Sequence, residues 1–141
     1  MYVVKTDGRR EPVDVEKIHI ALDRASKNVK GVSISAIENT AKLKFFDGIQ
    51  SKDINKSLIS ACVDLTDEEF PNYHIVAANL IMSDLRKAVY GQFDPWHLKP
   101  IIERGIAAGL YDRDLIEKYS DAELNKLNSM LKHDRDFNMS Y

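Results

Sequence analysis

The chain has 141 residues, 44% of them hydrophobic and 30% charged, and its formal net charge is −2; these values suit a globular protein with its own core and argue against general attraction to DNA or membranes. The single Cys62 excludes an internal disulfide framework and a cysteine-pair zinc site. No apolar run approaches a membrane span and no signal-peptide pattern is present, so we expect a cytoplasmic protein that binds neither DNA nor membrane.

The first predicted element is a β-hairpin. Residues Tyr2 to Lys5 are mostly β-branched or aromatic, Asp7-Gly8 is a strong hairpin-turn signal, and Arg10 to Val13 supply the returning strand. Because Pro12 lacks a backbone N–H, this returning strand is predicted to lie at the edge of its sheet.

The first predicted helix follows the hairpin directly. Asp14 is its expected N-cap, accepting from free backbone N–H groups. The helical spacing of the apolar residues supports this assignment, and Lys5 and Lys17 are expected near the helix start. The apolar positions are Val15, Ile18, Leu22 and Ala25.

Three more helices are predicted before residue 92. Ser35-Ala36-Ile37-Glu38 is typical of a capping box that opens the second helix, and Asp47-Gly48 is expected to end it. Ser51 is the predicted N-cap of the third helix. The fourth is predicted from about Tyr73 to Tyr90, with Gly91 ending it. Their apolar stripes are Ile37, Ala41 and Phe45; Ile54, Leu58, Ile59, Cys62 and Leu65; and Val76, Ala77, Leu80, Ile81, Leu85 and Val89.

The pattern changes after Phe93. Asp94-Pro95-Trp96 is predicted to open a helix that Gly109 ends, a short helix is expected from Asp112 to Tyr119, and Ser120 begins a second capping box. We therefore predict a mainly α fold with two domains. Residues 1–92 form a short hairpin that caps a four-helix bundle, and residues 93–141 form a set of short helices.

The residues alone support no catalytic chemistry. Neither a Gly-x-x-x-x-Gly-Lys-[Ser/Thr] loop nor a Gly-x-Gly-x-x-Gly loop is present, and the four histidines form no metal-type pair. Cys62 falls on an apolar stripe, which favours a small buried side chain over a reactive thiol. The charged run from His133 to Asp136 is typical of a solvated helix end. We predict no catalytic residue and no metal site.

The opening motif nevertheless resembles a known regulatory domain. Val3-x-Lys5-x-Asp7-Gly8, followed by Glu11 and Asp14-x-x-Lys17-Ile18, is similar to the ATP-cone. Later motifs resemble the N-terminal region of the class I aerobic ribonucleotide reductase large (α) subunit, including the helical lead-in to its ten-stranded barrel. These motifs are Phe45-Phe46-Asp47-Gly48-Ile49, Ser51-x-Asp53-Ile54, Leu85-Arg86-Lys87, Tyr90-Gly91-Gln92-Phe93, Gly109-Leu110-Tyr111-Asp112, Tyr119-Ser120-x-x-Glu123, His133-Asp134-Arg135-Asp136 and Ser140-Tyr141.

This resemblance implies an oxidoreductase segment that performs no catalysis alone. The family's radical and redox cysteines lie downstream of the matching region, and Cys62 matches none of them. The segment is then either a separately made fragment or one product of a split gene. Its implied partners are the remaining C-terminal part of the large subunit, which bears the barrel, and the radical-generating small (β) subunit.

The resemblance also implies an allosteric activity site at which ATP permits turnover and dATP suppresses it. Lys5 and Lys17 match phosphate-facing lysines. Glu11, Val13 and Asp14 match the hairpin-to-helix segment that lines the base and the ribose. Among the other candidate positions, Ser51 stands where Thr is usual, Asn55 stands where His is usual, and Lys87 is an additional cation.

Three departures from the family pattern affect this implied site. Thr6 stands where Arg is usual, Asn55 where His is usual, and Ala88 where Lys is usual. A charge-assisted hydrogen bond contributes roughly 1.5–3 kcal/mol, so three losses weaken binding by about 10³ or more unless other cations compensate. The candidate compensating cations are Arg9, Arg10, Arg86 and Lys87. Weak or absent dATP inhibition is therefore expected.

A second interpretation stays open. In it, the segment is a helical docking module that binds no nucleotide and only completes the hydrophobic surface of the large subunit. Residues after Phe93 would then make the essential contact.

Overall fold

The computed structural model of the protein describes residues 1–137 and 139–141. Three short strands lie within the first fifty residues, and helices make up most of the described chain. In chain order the elements are β1 (Tyr2–Val4), β2 (Arg10–Pro12), α1 (Val15–Ser26), α2 (Ile34–Lys42), β3 (Ile49–Gln50), α3 (Ser51–Asp64), α4 (Tyr73–Tyr90), α5 (Leu98–Ala107), α6 (Asp114–Glu117), α7 (Asp121–Met130) and a 3₁₀ helix (His133–Phe137).

The chain divides into two compact units. The N-terminal unit comprises Met1–Leu85 and Phe137–Tyr141, and the helical unit comprises Arg86–Asp136. The mainly helical fold with a small N-terminal sheet is confirmed. The domain boundary after residue 92 stays a prediction.

The sheet has the strand order β2-β1-β3. β1 and β2 form the expected antiparallel hairpin, in which Val3 lies opposite Glu11, and β2 is an edge strand as Pro12 predicted. The parallel strand β3 was not predicted. It pairs Ile49 with Val3, and its two residues are too few to produce an alternating pattern in the sequence.

A hydrophobic core joins α1 to α4 in the N-terminal unit. It forms because apolar residues at helical spacing bring one face of each helix together. Its fully or almost fully buried members are Leu22, Ala25, Ile37, Ala41, Leu58, Ala61, Cys62, Tyr73, Val76, Ala77 and Leu80. The apolar stripe predicted for α4 was too wide, because Ile81, Leu85 and Val89 are 42%, 53% and 57% exposed.

Two helix starts follow local signals in the sequence. Asp14 caps α1 as predicted, since its carboxylate accepts from the Lys17 backbone N–H at 3.2 Å. The predicted capping box of α7 is also present, with Ser120 and Glu123 each accepting from the other's backbone N–H.

Other helix ends differ from the predictions. α2 begins after Ser33, not Ser35, because the Ser33 hydroxyl accepts from Ala36 N and the earlier start packs Ile34 against the core. α2 ends at Lys42, so Gly48 does not terminate it and instead precedes β3. Ser51 is already helical because β3 runs directly into α3, which leaves Gln50 as the N-cap.

The helical unit packs α5 against α7, with Ile102 and Leu124 buried. α5 starts after His97 rather than at Asp94-Pro95-Trp96. Pro100 fits in its first turn because N–H groups there have no intrahelical acceptor. α6 is shorter than predicted, since only Asp114–Glu117 is helical.

None of the helices in the described part of the chain has the length and apolar character needed to cross a membrane.

We expect Ser33→Ala to lower the free energy of unfolding by about 1 kcal/mol, because it removes the hydroxyl that caps α2. The matched variant Ser35→Ala changes an exposed residue two positions later and should stay within about 0.5 kcal/mol of the parent. Urea unfolding followed by far-ultraviolet circular dichroism measures both. Equal losses in the two variants would contradict the assignment of Ser33 as the cap.

Candidate functional site

The parallel pairing of β1 with β3 places two predicted site residues at the carboxyl ends of neighbouring strands. Val4 pairs with Gln50, so Lys5 and Ser51 follow the carboxyl ends of neighbouring parallel strands. Ser51 is also the first residue of α3, and the Gln50 side chain makes no capping hydrogen bond. The N–H groups of the first turn and the Lys5 ammonium therefore favour an anion at these strand ends.

Glu11 bridges two cations on the hairpin. Its carboxylate lies 3.5 Å from the Lys5 ammonium and 3.7 Å from the Arg9 guanidinium. Arg9 also donates to Asp7 from its backbone N–H at 3.1 Å and from Nε at 2.6 Å. These hydrogen bonds, led by the backbone one, hold the pKa of Asp7 below its usual value, and the Asp7 carboxylate raises the pKa of Arg9.

Asp14 and Lys17 pair with each other at the start of α1. The Lys17 ammonium is 3.4 Å from the Asp14 carboxylate, in addition to the capping bond from the Lys17 backbone N–H. That backbone hydrogen bond is the main cause of the lowered pKa of Asp14. Both side chains stay largely exposed, so the Lys17 cation is available to solvent while it is paired.

The cations of the hairpin and of the first turn of α1 are all paired with carboxylates. Arg10 contacts Asp47 at 3.6 Å, which completes a set of four cations and four anions. We call this set the charged rim. Its members are Lys5, Arg9, Arg10, Lys17, Asp7, Glu11, Asp14 and Asp47. The formal charge of the rim is zero, so it has no excess positive charge to attract a phosphate group.

Asn55 lies one turn after Ser51 on the same face of α3. Its amide donates to the Asp84 carboxylate of α4. The Asn55 amide is therefore already engaged by an acceptor within the protein. Asp84 was not identified from the sequence, because it lies 29 residues from Asn55 and no local pattern connects the two.

Val13 lines an apolar cavity of about 90 Å³. This volume is smaller than the cavity of about 150 Å³ that holds benzene in a well-studied engineered core. The other lining residues are Met1, Val15, Ile18, Glu38, Lys42, Phe45 and Leu58. Among the predicted site residues, Val13 thus contributes an apolar surface instead of a polar contact.

Within the N-terminal unit, the structure brings two pairs of predicted site residues into contact. Lys5 contacts Glu11, Lys5 and Ser51 follow the carboxyl ends of the paired strands β1 and β3, and Asp14 and Lys17 pair at the start of α1. Lys87 is exposed in the last turn of α4 and belongs to the helical unit.

Cys62 is fully buried in the core, as predicted. Burial in these apolar surroundings raises the pKa of its thiol to about 12. His19 contacts Glu38 at 2.9 Å, and this hydrogen bond raises the pKa of His19. Among residues 1–137 and 139–141, no three His, Cys, Asp or Glu side chains are grouped to hold a metal ion.

Comparison with known proteins gives a consistent match. Residues 1–88 match the family described as the ATP cone domain. The chain is 38% identical over 141 residues to ribonucleoside-diphosphate reductase 1 subunit alpha of Salmonella typhimurium and of Escherichia coli. Each match covers the whole of this chain but only 18% of the relative. It is also 38% identical over 139 residues to the alpha subunit from Helicobacter pylori strain 26695, covering 99% of the chain and 17% of that relative. The matching region is the N-terminal part of these subunits.

The native Cys62 thiol should resist a thiol reagent such as DTNB at about pH 8. With a pKa of about 12, about one molecule in 10⁴ carries the thiolate at that pH, and the core blocks access to it. In denaturing urea the pKa returns to about 8.5 and one thiol should react rapidly. Rapid native labelling would contradict the assignment of Cys62 as an inert core residue.

Proposed function

The chain belongs to the ATP-cone family, and from this premise we propose that it is a nucleotide-sensing segment of a ribonucleoside-diphosphate reductase α subunit. ATP-cone domains bind nucleotide effectors such as ATP and dATP. The match over residues 1–88 includes the hairpin, the start of α1 and the start of α3. The proposed effector site lies at the carboxyl ends of β1 and β3, next to the start of α3.

The observation that carries this proposal is the position of Lys5 and Ser51 after the paired strands β1 and β3. Lys5 supplies a cation for a phosphate, and the first N–H groups of α3 supply oriented donors. Lys17 supplies a second cation from the first turn of α1. This arrangement suits a phosphate ester better than it suits a neutral ligand.

We further propose that effector binding is weak and that dATP does not inhibit the complete enzyme at ordinary cellular levels. The charged rim has a formal charge of zero, and Asn55 already donates to Asp84. Thr6 lies in the exposed hairpin turn, where its short side chain provides no cation. Each of these features lowers the gain in free energy when an anionic nucleotide replaces water.

In this proposal the segment performs no catalysis by itself, and other chains carry out the reaction. The chain spans 18% of the length of its curated relatives, which are reductases. We propose that it acts within a cytoplasmic oxidoreductase, together with the remaining part of the α subunit and a radical-generating β subunit. Chemistry would then occur outside this segment, which would change turnover through the effector it binds.

We expect Thr6→Arg to tighten ATP and dATP binding by about 10-fold or more, because it adds a charge-assisted donor at the hairpin turn. Isothermal titration calorimetry on the whole chain measures the affinities. Thr6→Gln is the matched control, since it lengthens the side chain without adding charge. If the parent and Thr6→Arg both fail to bind either nucleotide at millimolar concentration, nucleotide sensing is ruled out.

A docking module without an effector is the second candidate function. The observation that favours it is the number of apolar side chains exposed on the helical unit, where Leu110 is 77% and Met130 is 64% exposed. The others at least 37% exposed between residues 110 and 131 are Tyr111, Leu115, Tyr119, Leu127 and Leu131. In this alternative these side chains pack against the rest of the α subunit.

Leu110→Asp should reduce co-purification of the chain with the remaining part of the α subunit, because it places a charge in the proposed apolar contact. Leu43→Asp is the matched control, since Leu43 is 86% exposed but belongs to the N-terminal unit. Co-expression followed by affinity pull-down measures retention. Equal retention of both variants would exclude the surface around Leu110 as the docking element.

A further inference from the structure

We propose that Arg86 is a clasp that closes the helical unit, because its side chain ties the start of that unit to its end. The unit comprises Arg86–Asp136, and its first and last residues form an ion pair of 2.8 Å. The two residues are 50 positions apart in the sequence. One pair between them therefore opposes local opening at both ends of the unit. This role goes beyond nucleotide sensing and does not depend on it.

Three hydrogen bonds orient the Arg86 guanidinium. Its Nε and Nη2 donate to one oxygen of the Asp136 carboxylate at 3.2 and 2.8 Å, and Nη2 also donates to the backbone carbonyl of His133. Both acceptors belong to the 3₁₀ helix His133–Phe137. The fork of donors thus binds a side chain and a backbone group of the same short helix. A lysine ammonium, which acts as a point charge, would not reproduce this arrangement.

The clasp is sheltered from water on its cationic side. Arg86 is 6% exposed, and its Cζ atom lies 5.2 Å from the centre of the Phe93 ring in the connection between α4 and α5. The Lys99–Asp121 pair of the same unit has a similar length of 2.7 Å, but the Lys99 side chain is 35% exposed. Burial strengthens the attraction of Arg86 for Asp136 and makes the loss of that carboxylate costly.

The end of the helical unit needs contacts from outside its own short helix. Residues 133–136, which we call the tail segment, belong to a 3₁₀ helix of five residues. So short a helix is unstable alone, because its few hydrogen bonds do not offset the entropy lost when the backbone is ordered. The bonds from Arg86 to His133 and Asp136 supply contacts from the last turns of α4. Opening of the clasp should therefore open the tail segment.

The clasp lies where the chain enters and leaves the helical unit. The chain enters at Arg86, within α4, and leaves after Asp136. The clasp therefore holds the entry and the exit of the chain together. In the curated relatives the matching region precedes the larger part of the subunit. A fixed exit limits the positions that the following residues can reach, and this is the conformational role that we assign to the clasp.

The test is hydrogen–deuterium exchange of the whole chain, measured by mass spectrometry on peptides that cover the tail segment. We expect Asp136→Asn to speed exchange there by about 10-fold or more, because it removes the charge of the acceptor in the clasp. Exchange in α2 and α3 should stay as in the parent. Asp134→Asn is the matched control, since it makes the same charge change at an exposed residue of the same 3₁₀ helix.

Arg86→Lys is the second variant, because it keeps the positive charge but removes the fork of donors. It should also speed exchange of the tail segment. Parent-like exchange in either Asp136→Asn or Arg86→Lys would overturn the clasp, and so would an equal increase in Asp134→Asn. Faster exchange throughout α2 and α3 would show a loss of global stability and would also contradict it. Each of these results leaves the proposed effector site untouched, because no measurement includes a nucleotide.

Discussion

The parallel pairing of β1 with β3 is the constraint on which the proposed site depends. Val3 and Ile49 face each other in this pair and are 5% and 1% exposed. Two hydrogen bonds hold the turn before β3 against β1. The Gly48 N–H donates to the Tyr2 carbonyl at 2.9 Å, and the Tyr2 N–H donates to the Asp47 carboxylate at 2.7 Å. Gly48 has φ of +84°, a conformation that favours glycine. Because β3 leads directly into α3, these hydrogen bonds fix the start of α3 relative to Lys5.

The sequence predicted those features whose cause is local. The Asp7-Gly8 turn, the Asp14 cap and the Ser120 capping box each depend on residues within a few positions, so their patterns were sufficient. β3 could not be predicted, because two residues become a strand only through a partner more than forty positions away. The start of α2 was misplaced because Ser33 and Ser35 are both plausible caps, and the packing of Ile34 decides between them.

The same distinction separates the predicted from the unpredicted parts of the site. The resemblance supplied the residue types, and the pair of Asp14 and Lys17 follows from their spacing of three along a helix. The pairs of Arg10 with Asp47 and of Asn55 with Asp84 connect distant segments. Asp84 belongs to none of the motifs, and the motif that contains Asp47 does not indicate its pairing with Arg10. The charge state of the rim was thus accessible only once the fold was known.

Family membership and effector affinity are separate physical questions in this protein. The hydrophobic core and the sheet register are enough to preserve the ATP-cone fold, because they depend on buried residues such as Val3 and Ile49. Affinity depends instead on exposed charges, whose interactions are screened and are each worth little. The proposed weakening of effector binding, if it comes from the neutral rim, therefore requires no change in the core or in the sheet register. The N–H groups at the N-terminus of α3 belong to the backbone and persist whatever side chains surround them, although Asp53 places a carboxylate in the same first turn.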